Sequence, residues 1–328
     1  MVERRVHGVP PSDEFLRLRR TLEVPTPTPT PMPSPLTQLG DERWSFRVWA
    51  ARLPVAREVV VEPTTEMPEP GSEWIRPTRP ASRRDVILYL HGGGFRVGSP
   101  ATARSITSHL AVASGLEIAS AAYPLAPEAT MDEMVASVTR SYRALRTLRP
   151  DARVVLAGDS AGGYLALALL DQLALQGEPR PAAVVLFCPL TTLDARADER
   201  REVRDPMLSE AMLTSVRRDV RRPRRLGQAR PGAPALLPPW PGRAVPRRTA
   251  ATVGAASLSG VPLLVQYGGH ELLASSIEAF AEQAPDHAPV VVEEWRHAFH
   301  VWQLFAGLLP ESDAAIASAS AFLRDALG

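Results

Sequence analysis

The sequence predicts an α/β protein built on a mostly parallel central sheet flanked by helices. Six short apolar runs rich in β-branched residues carry that prediction: DVILYLHG (85–92), LEIASAAY (116–123), ARVVLAGD (152–159), AAVVLFCP (182–189), PLLVQYGG (262–269) and PVVVEEW (289–295). They lack the apolar–polar alternation of a half-exposed strand, which marks strands buried on both faces. Between them lie stretches of helical period. Strands alternating with helices imply right-handed βαβ units, with the sheet covered on both sides.

Each helical stretch carries its own signals. TARSITSHLAVASG (102–115) closes on Gly115, a residue that readily takes the left-handed conformation at a helix C-terminus. Thr130 and Glu133 form a capping box ahead of MDEMVASVTRSYRALRTL. AGGYLALALLDQLALQG (161–177) ends at Gly177, VWQLFAGLL (301–309) reads as helical, and SDAAIASASAFLRDAL (312–327) follows it. Cys188, inside a predicted strand, is expected to be a small buried hydrophobe.

Composition narrows the function classes. The 328 residues are 45% hydrophobic and 22% charged, ordinary values for a globular protein. All 37 basic residues are arginine, and 36 acids bring the net charge to +1, so nucleic acid is not an expected partner. The single cysteine permits no intramolecular disulfide, and the charged start MVERRVHGVPPSDEFLRLRR does not read as a signal peptide. No apolar run approaches the roughly 18 residues of a membrane span, so no integral membrane association is expected. The expected location is the cytoplasm.

Proline marks the irregular regions. Of 33 prolines, eighteen fall in 24–35, 63–80 and 223–246, which are linker candidates. The predicted division is an N-terminal cap and Pro-rich extension at 1–83 and a main domain at 84–328, interrupted by an anomalous Arg/Pro-rich insertion at 217–257. Between Arg217 and Arg248 ten arginines face one acid, Asp219. That stretch reads as a solvated insertion, an anion- or nucleic-acid-binding patch, or a frame-shifted segment later restored to frame.

In parallel sheets, ligands bind beyond the carboxyl ends of the strands, so chemistry is sought in the loops there. GDSAG (158–162) stands between an apolar strand and an apolar helix and matches the G-x-S-x-G nucleophile elbow, with Ser160 as nucleophile. HGGGF (91–95) follows another strand. Its successive glycines let backbone N–H groups approach a substrate oxygen, and with the N–H of Ala161 they form a candidate oxyanion hole. Chain order in such a machine runs nucleophile, acid, histidine. His300 lies in the loop after the last predicted strand, with His297 as the alternative base. His270 and His287 read as surface groups, and His91 as a residue that holds the glycine loop by hydrogen bonding. Glu271 is the one carboxylate in the loop after PLLVQYGG, since Glu278 falls inside a helix. Asp159 is placed pointing away on the sharp turn, and Asp194 and Asp205 are assigned structural or capping roles.

With HGGGF, YPLAPE (123–128), GDSAGG and HVWQ (300–303) in this order, the chain resembles the hormone-sensitive-lipase-like family of α/β-hydrolases, over roughly 84–216 and 258–328. The resemblance implies an eight-stranded α/β-hydrolase sheet with an N-terminal helical cap. It also implies a serine carboxylesterase that cleaves short- to medium-chain acyl esters without cofactor or metal. On that resemblance the nucleophile falls on Ser160, the acid on Glu271 and the base on His300. The oxyanion donors fall on Gly93, Gly94 and Ala161, with Gly92 a further candidate. The expected partner is a small-molecule ester, and a homodimer is expected by analogy. The alternatives are a non-catalytic small-ligand binder, an amidase or a lipase on the same scaffold. Three departures stand out. Pro124 replaces the arginine usual in Y-R-L-A-P-E, Glu replaces the more frequent Asp as acid, and 217–257 does not look like the family.

Overall fold

The structure, a computed structural model, describes residues 2–23, 35–81, 84–194, 203–221, 258, 260–285 and 288–328. Among these, nine strands form one sheet: β1 (Val2–His7), β2 (Val59–Pro63), β3 (Glu73–Pro77), β4 (Val86–Leu90), β5 (Glu117–Ala121), β6 (Val154–Asp159), β7 (Ala183–Phe187), β8 (Leu263–Gly268) and β9 (Val290–Trp295). Their spatial order is β1-β9-β8-β7-β6-β4-β5-β3-β2. β4 to β9 are the six strands expected from the sequence, each within two residues of its predicted ends. They pair in parallel, and every residue of β4, β6, β7 and β8 is buried. Continuous apolar sequence, rather than alternation, is what a strand covered on both faces requires.

The helices are α1 (Asp13–Glu23), α2 (Pro35–Ala50), α3 (Arg104–Ser114), α4 (Met131–Leu148), α5 (Ala161–Gln176), α6 (Glu210–Arg221), α7 (Ala274–Glu282) and α8 (Pro310–Leu327). α1, α3 and α8 cover one face of the sheet, burying Phe15, Ile106, Leu110, Ile316 and Leu323. α4, α5 and α7 cover the other with Met134, Val138, Tyr142, Leu165, Leu169 and Phe280. α5 is apolar on almost every side because it packs in the middle of its layer. The predicted capping box closes on α4, where the Thr130 N–H donates to Glu133 Oε2 at 2.8 Å.

Several expectations need correction. The sheet has nine strands rather than eight. The ninth, β1, pairs in parallel with β9 from Val2↔Val290 to His7↔Trp295. VERRVH has no apolar run because it is a charged edge strand, the kind that resists further strand addition. Residues 63–80, read as a linker, form the β2–β3 hairpin, antiparallel to each other and to β5. Three strands from 1–83 therefore belong to the sheet, and the expected division at residue 84 runs through it. VWQLFAGLL is a short 3₁₀ turn at Trp302–Phe305, not a helix. α6 continues to Arg221, past the expected start of the insertion at 217. The rest of that segment, and the Pro-rich stretch before Pro35, lie outside the described residues.

Candidate active site

The elbow is built where β6 gives way to α5. β6 ends at Asp159, α5 starts at Ala161, and Ser160 between them has φ 50° and ψ −117°. This left-handed backbone is costly for a residue with a side chain and persists only where its surroundings hold it. The Ser160 N–H donates to Phe187 O at 2.9 Å, and the Leu90 carbonyl presses so closely on Gly162 that a Cβ there would lie 1.9 Å from it. Among the described residues, the non-glycine residues with positive φ are Phe95, Ser160, Cys188 and Val301, and all stand on the loops that meet here.

His300 is brought to this point by the turn after β9. Its Nε2 lies 2.9 Å from Ser160 Oγ across 140 residues of chain. Its Nδ1 faces Glu271 Oε2 at 3.5 Å, ion-pair range, and neither Glu271 oxygen makes a hydrogen bond among the described residues. With Nδ1 turned to a carboxylate, the neutral imidazole carries its proton there, and Ser160 Oγ–H donates to Nε2. Ser160 is partly exposed, Glu271 fully buried, and His300 only 5% exposed. The alternative base, His297, stacks on His270 with ring centroids 6.3 Å apart and does not reach the serine. His287 lies outside the described residues.

A second carboxylate stands behind this pair. Asp205 was assigned a capping role, and its Oδ1 does accept from Met207 N at 2.9 Å and Leu208 N at 3.3 Å. Its Oδ2 also accepts from Leu272 N at 3.3 Å, tying the approach to α6 to the loop that carries Glu271. Burial pushes Asp205 up to about 6, against the opposing pull of His300. Burial alone would lower His300, but Glu271, with Asp205 and Asp159 behind it, raises the imidazole above its ordinary value. Sequence spacing could not reveal this role, because residues 205 and 272 are joined only by the fold.

The glycine loop is held from beneath. Tyr89 Oη donates to Asp159 Oδ1 at 2.8 Å, and so does the Gly92 N–H at 2.9 Å. The expected placement of Gly92 among the oxyanion donors is thereby corrected: its N–H is already given to a buried carboxylate. Asp159 is engaged by Tyr89 and the glycine loop, and burial lifts it to about 6 despite those two donors. The N–H groups of Gly93, Gly94 and Ala161 make no hydrogen bond among the described residues and remain open to a ligand. Gly93, at φ 115°, approaches the Val97 carbonyl so closely that a Cβ would lie 2.2 Å from it. His91 acts as expected: its Nδ1 lies 2.8 Å from Gly92 O and its ring stacks on Tyr123 with centroids 4.2 Å apart. Burial lowers it to about 4, so it is neutral.

From above, α2 clamps the same loop. Arg43 donates to Arg96 O at 2.7 Å, to Ala126 O at 2.9 Å, and to both oxygens of Glu128 at 2.7 Å. The Y-P-L-A-P-E turn, lacking its usual arginine at Pro124, is thus gripped by a guanidinium from a distant helix. Arg96 reaches Asp219 on α6 at 2.8 Å and Glu42 on α2 at 3.2 Å.

Cys188 is buried as expected, with Val301 N donating to its Sγ at 3.2 Å. Burial drives its thiol well above the ordinary range. Among the described residues, one group of side chains offers metal-ligand spacing: Cys188, Glu271 and His300, whose donor atoms all lie within 4.8 Å of one another. No helix among the described residues is long and apolar enough to cross a membrane.

Comparison with known proteins agrees with this architecture. A family model for the alpha/beta hydrolase fold matches residues 87–304. An acetyl-hydrolase of Streptomyces hygroscopicus is 36% identical over 263 residues, which is 78% of this chain and 80% of its own. An esterase of Acinetobacter venetianus is 28% identical over 253 residues, 74% of this chain and 75% of its own. Among solved structures, an esterase from the bacterial hormone-sensitive lipase family superposes with a TM-score of 0.79 at 31% identity, covering 97% of this chain and 99% of that one.

Proposed function

The chain belongs to the α/β-hydrolase family, in its hormone-sensitive-lipase-like branch, and from that premise we propose a carboxylic ester hydrolase working through an acyl-enzyme on Ser160. The observation that carries the reading is the 2.9 Å contact between Ser160 Oγ and His300 Nε2 at a strained strand–helix elbow. Ser160 Oγ attacks the ester carbonyl as Nε2 takes its proton, and the proton is then handed to the leaving alcohol. Glu271 holds the Nδ1 proton and stabilises the imidazolium while it exists. The carbonyl oxygen, now negative, is received by the open N–H groups of Gly93, Gly94 and Ala161 at the start of α5. Water then repeats the sequence on the acyl-enzyme and regenerates the serine.

The substrate class we propose is short- to medium-chain acyl esters. The name of the Streptomyces hygroscopicus relative supports the short end of that range. Hydrolysis of p-nitrophenyl esters from acetate to palmitate tests it, with rates expected to peak at or below the medium chains. A maximum at palmitate would replace this reading with a long-chain lipase. Ser160→Ala should lower turnover on the order of 10⁶-fold, and a fluorophosphonate should label Ser160 in the native chain alone. Undiminished hydrolysis by that variant would refute the acyl-enzyme.

A further inference from the structure

We propose that Cys188, Glu271 and His300 form a site for a soft divalent metal ion such as Zn²⁺, and that its occupation shuts the enzyme down. The inhibitory half rests on the Ser160–His300 reading above; the binding half does not.

The donors are already assembled. Sγ of Cys188, an oxygen of Glu271 and a ring nitrogen of His300 lie within 4.8 Å of one another. The Nδ1–Oε2 separation of 3.5 Å is close to the edge of about 3.4 Å between two ligands on a tetrahedral zinc ion with bonds near 2.1 Å. Glu271 and His300 Nδ1 are buried and already face each other, so two of the ligands are held in place before any ion arrives. The sulfur has its own support, the Val301 N–H at 3.2 Å, the kind of donor that steadies a metal-bound thiolate.

The chemistry of the set selects the ion. One sulfur, one nitrogen and one carboxylate oxygen suit zinc, cobalt or copper and disfavour magnesium and calcium. Charge selects it again: a dication with one thiolate and one carboxylate sums to zero, which a dry interior tolerates.

Protons balance simply. The Cys188 thiol proton leaves to solvent. The Nδ1 proton of the neutral imidazole moves to Nε2 as Nδ1 takes the metal, so one proton is released in all. That tautomer is the inhibitory step. Nε2 then carries a hydrogen toward Ser160 Oγ and can no longer accept one, so the serine loses its base. Cys188 and Glu271 are fully buried behind an imidazole that faces the partly exposed serine, so the ion enters only as the ring swings aside. Onset of inhibition should be slow compared with mixing.

The test titrates Zn²⁺ against ester hydrolysis and, separately, Co²⁺ against near-ultraviolet absorption from cobalt–thiolate charge transfer. The native chain should be inhibited and should develop that band. Cys188→Ser and Cys188→Ala should retain hydrolysis, need at least about tenfold more Zn²⁺ for half-inhibition, and show no band. His300→Gln, inactive in any case, should bind Co²⁺ correspondingly more weakly. Unchanged inhibition in the Cys188 variants, absence of the band in the native chain, or full-strength Co²⁺ binding by His300→Gln would each overturn the proposal. A native chain that shows the cobalt band yet hydrolyses esters independently of Ser160 would instead discredit the mechanism and leave the metal site standing.

Discussion

Replacing Asp205 with asparagine should separate the stability of this protein from its pH profile. The carboxylate accepts three backbone N–H groups, two in its own turn and one from Leu272 beside the candidate acid. Asparagine retains one oxygen for the two local donors but turns an NH₂ toward Leu272, and losing that bond costs about 1–3 kcal/mol. Against this stands the cost of burying a charge. Burial lifts Asp205 to about 6, roughly two pH units above an unperturbed aspartate, so keeping it ionised at pH 8 costs about 3 kcal/mol. Because an acid with a raised native pKa loses stability as pH rises between its unfolded and folded values, the asparagine variant should be less stable than the parent near pH 4. Near pH 8 the two should be roughly equal. The effect on His300 is of another kind. Asp205 helps to raise the imidazole, and removing its charge should move the acid limb of kcat/KM to lower pH. Thermal unfolding at pH 4 and pH 8, with kcat/KM on p-nitrophenyl acetate between pH 5 and 9, measures both. A variant that loses stability but keeps its acid limb unmoved would reduce Asp205 to a turn cap and refute the electrostatic argument.

In the native chain the acid limb should lie above 6.5, since neutral His300 is the active form and its surroundings raise it. The same shift acts oppositely on stability: the contribution of His300 is fully present below its unfolded pKa and fades as pH rises through the folded one, so activity and that contribution should trend in opposite directions. A pH–rate profile with its acid limb at or below 6.5 would contradict this. Asp159→Ala leaves Gly92 N–H and Tyr89 Oη without their acceptor and loosens the glycine loop. It should lower kcat by up to about 10²–10³, the range for losing one oxyanion donor, with a smaller change in KM. Arg43→Ala removes the clamp of α2 on Arg96 O, Ala126 O and Glu128. It should cost about 1–3 kcal/mol in denaturant unfolding and reduce kcat/KM, and unchanged kinetics would show that the loop stands without it.

The parts of this protein legible from its sequence are those whose signals are local. A strand buried on both faces must be apolar throughout, so β4 to β9 could be located to within two residues. The elbow needs small residues beside a serine, and Gly158, Ala161 and Gly162 supply them. The candidate nucleophile, acid and base could also be placed in chain order, because each sits in the loop after a strand whose own sequence announces it. The edges of the sheet were far less visible: β1 has charges at Glu3, Arg4 and Arg5, and a charged edge strand looks like any solvated segment.

What escaped were pairings between distant residues. Glycine in HGGGF signals backbone donors, but not which donor is already engaged; Gly92 is held by Asp159, 67 residues away. The missing arginine at 124 is answered by Arg43 from a separate helix, and the second carboxylate near the imidazole arrives on a turn whose local grammar says only cap. The physical reason is common to all three. Local pattern records the conformation a segment must adopt and the face it must bury, whereas the partner of a buried charge or an open N–H is chosen by the packing of layers, where chain separation counts for nothing.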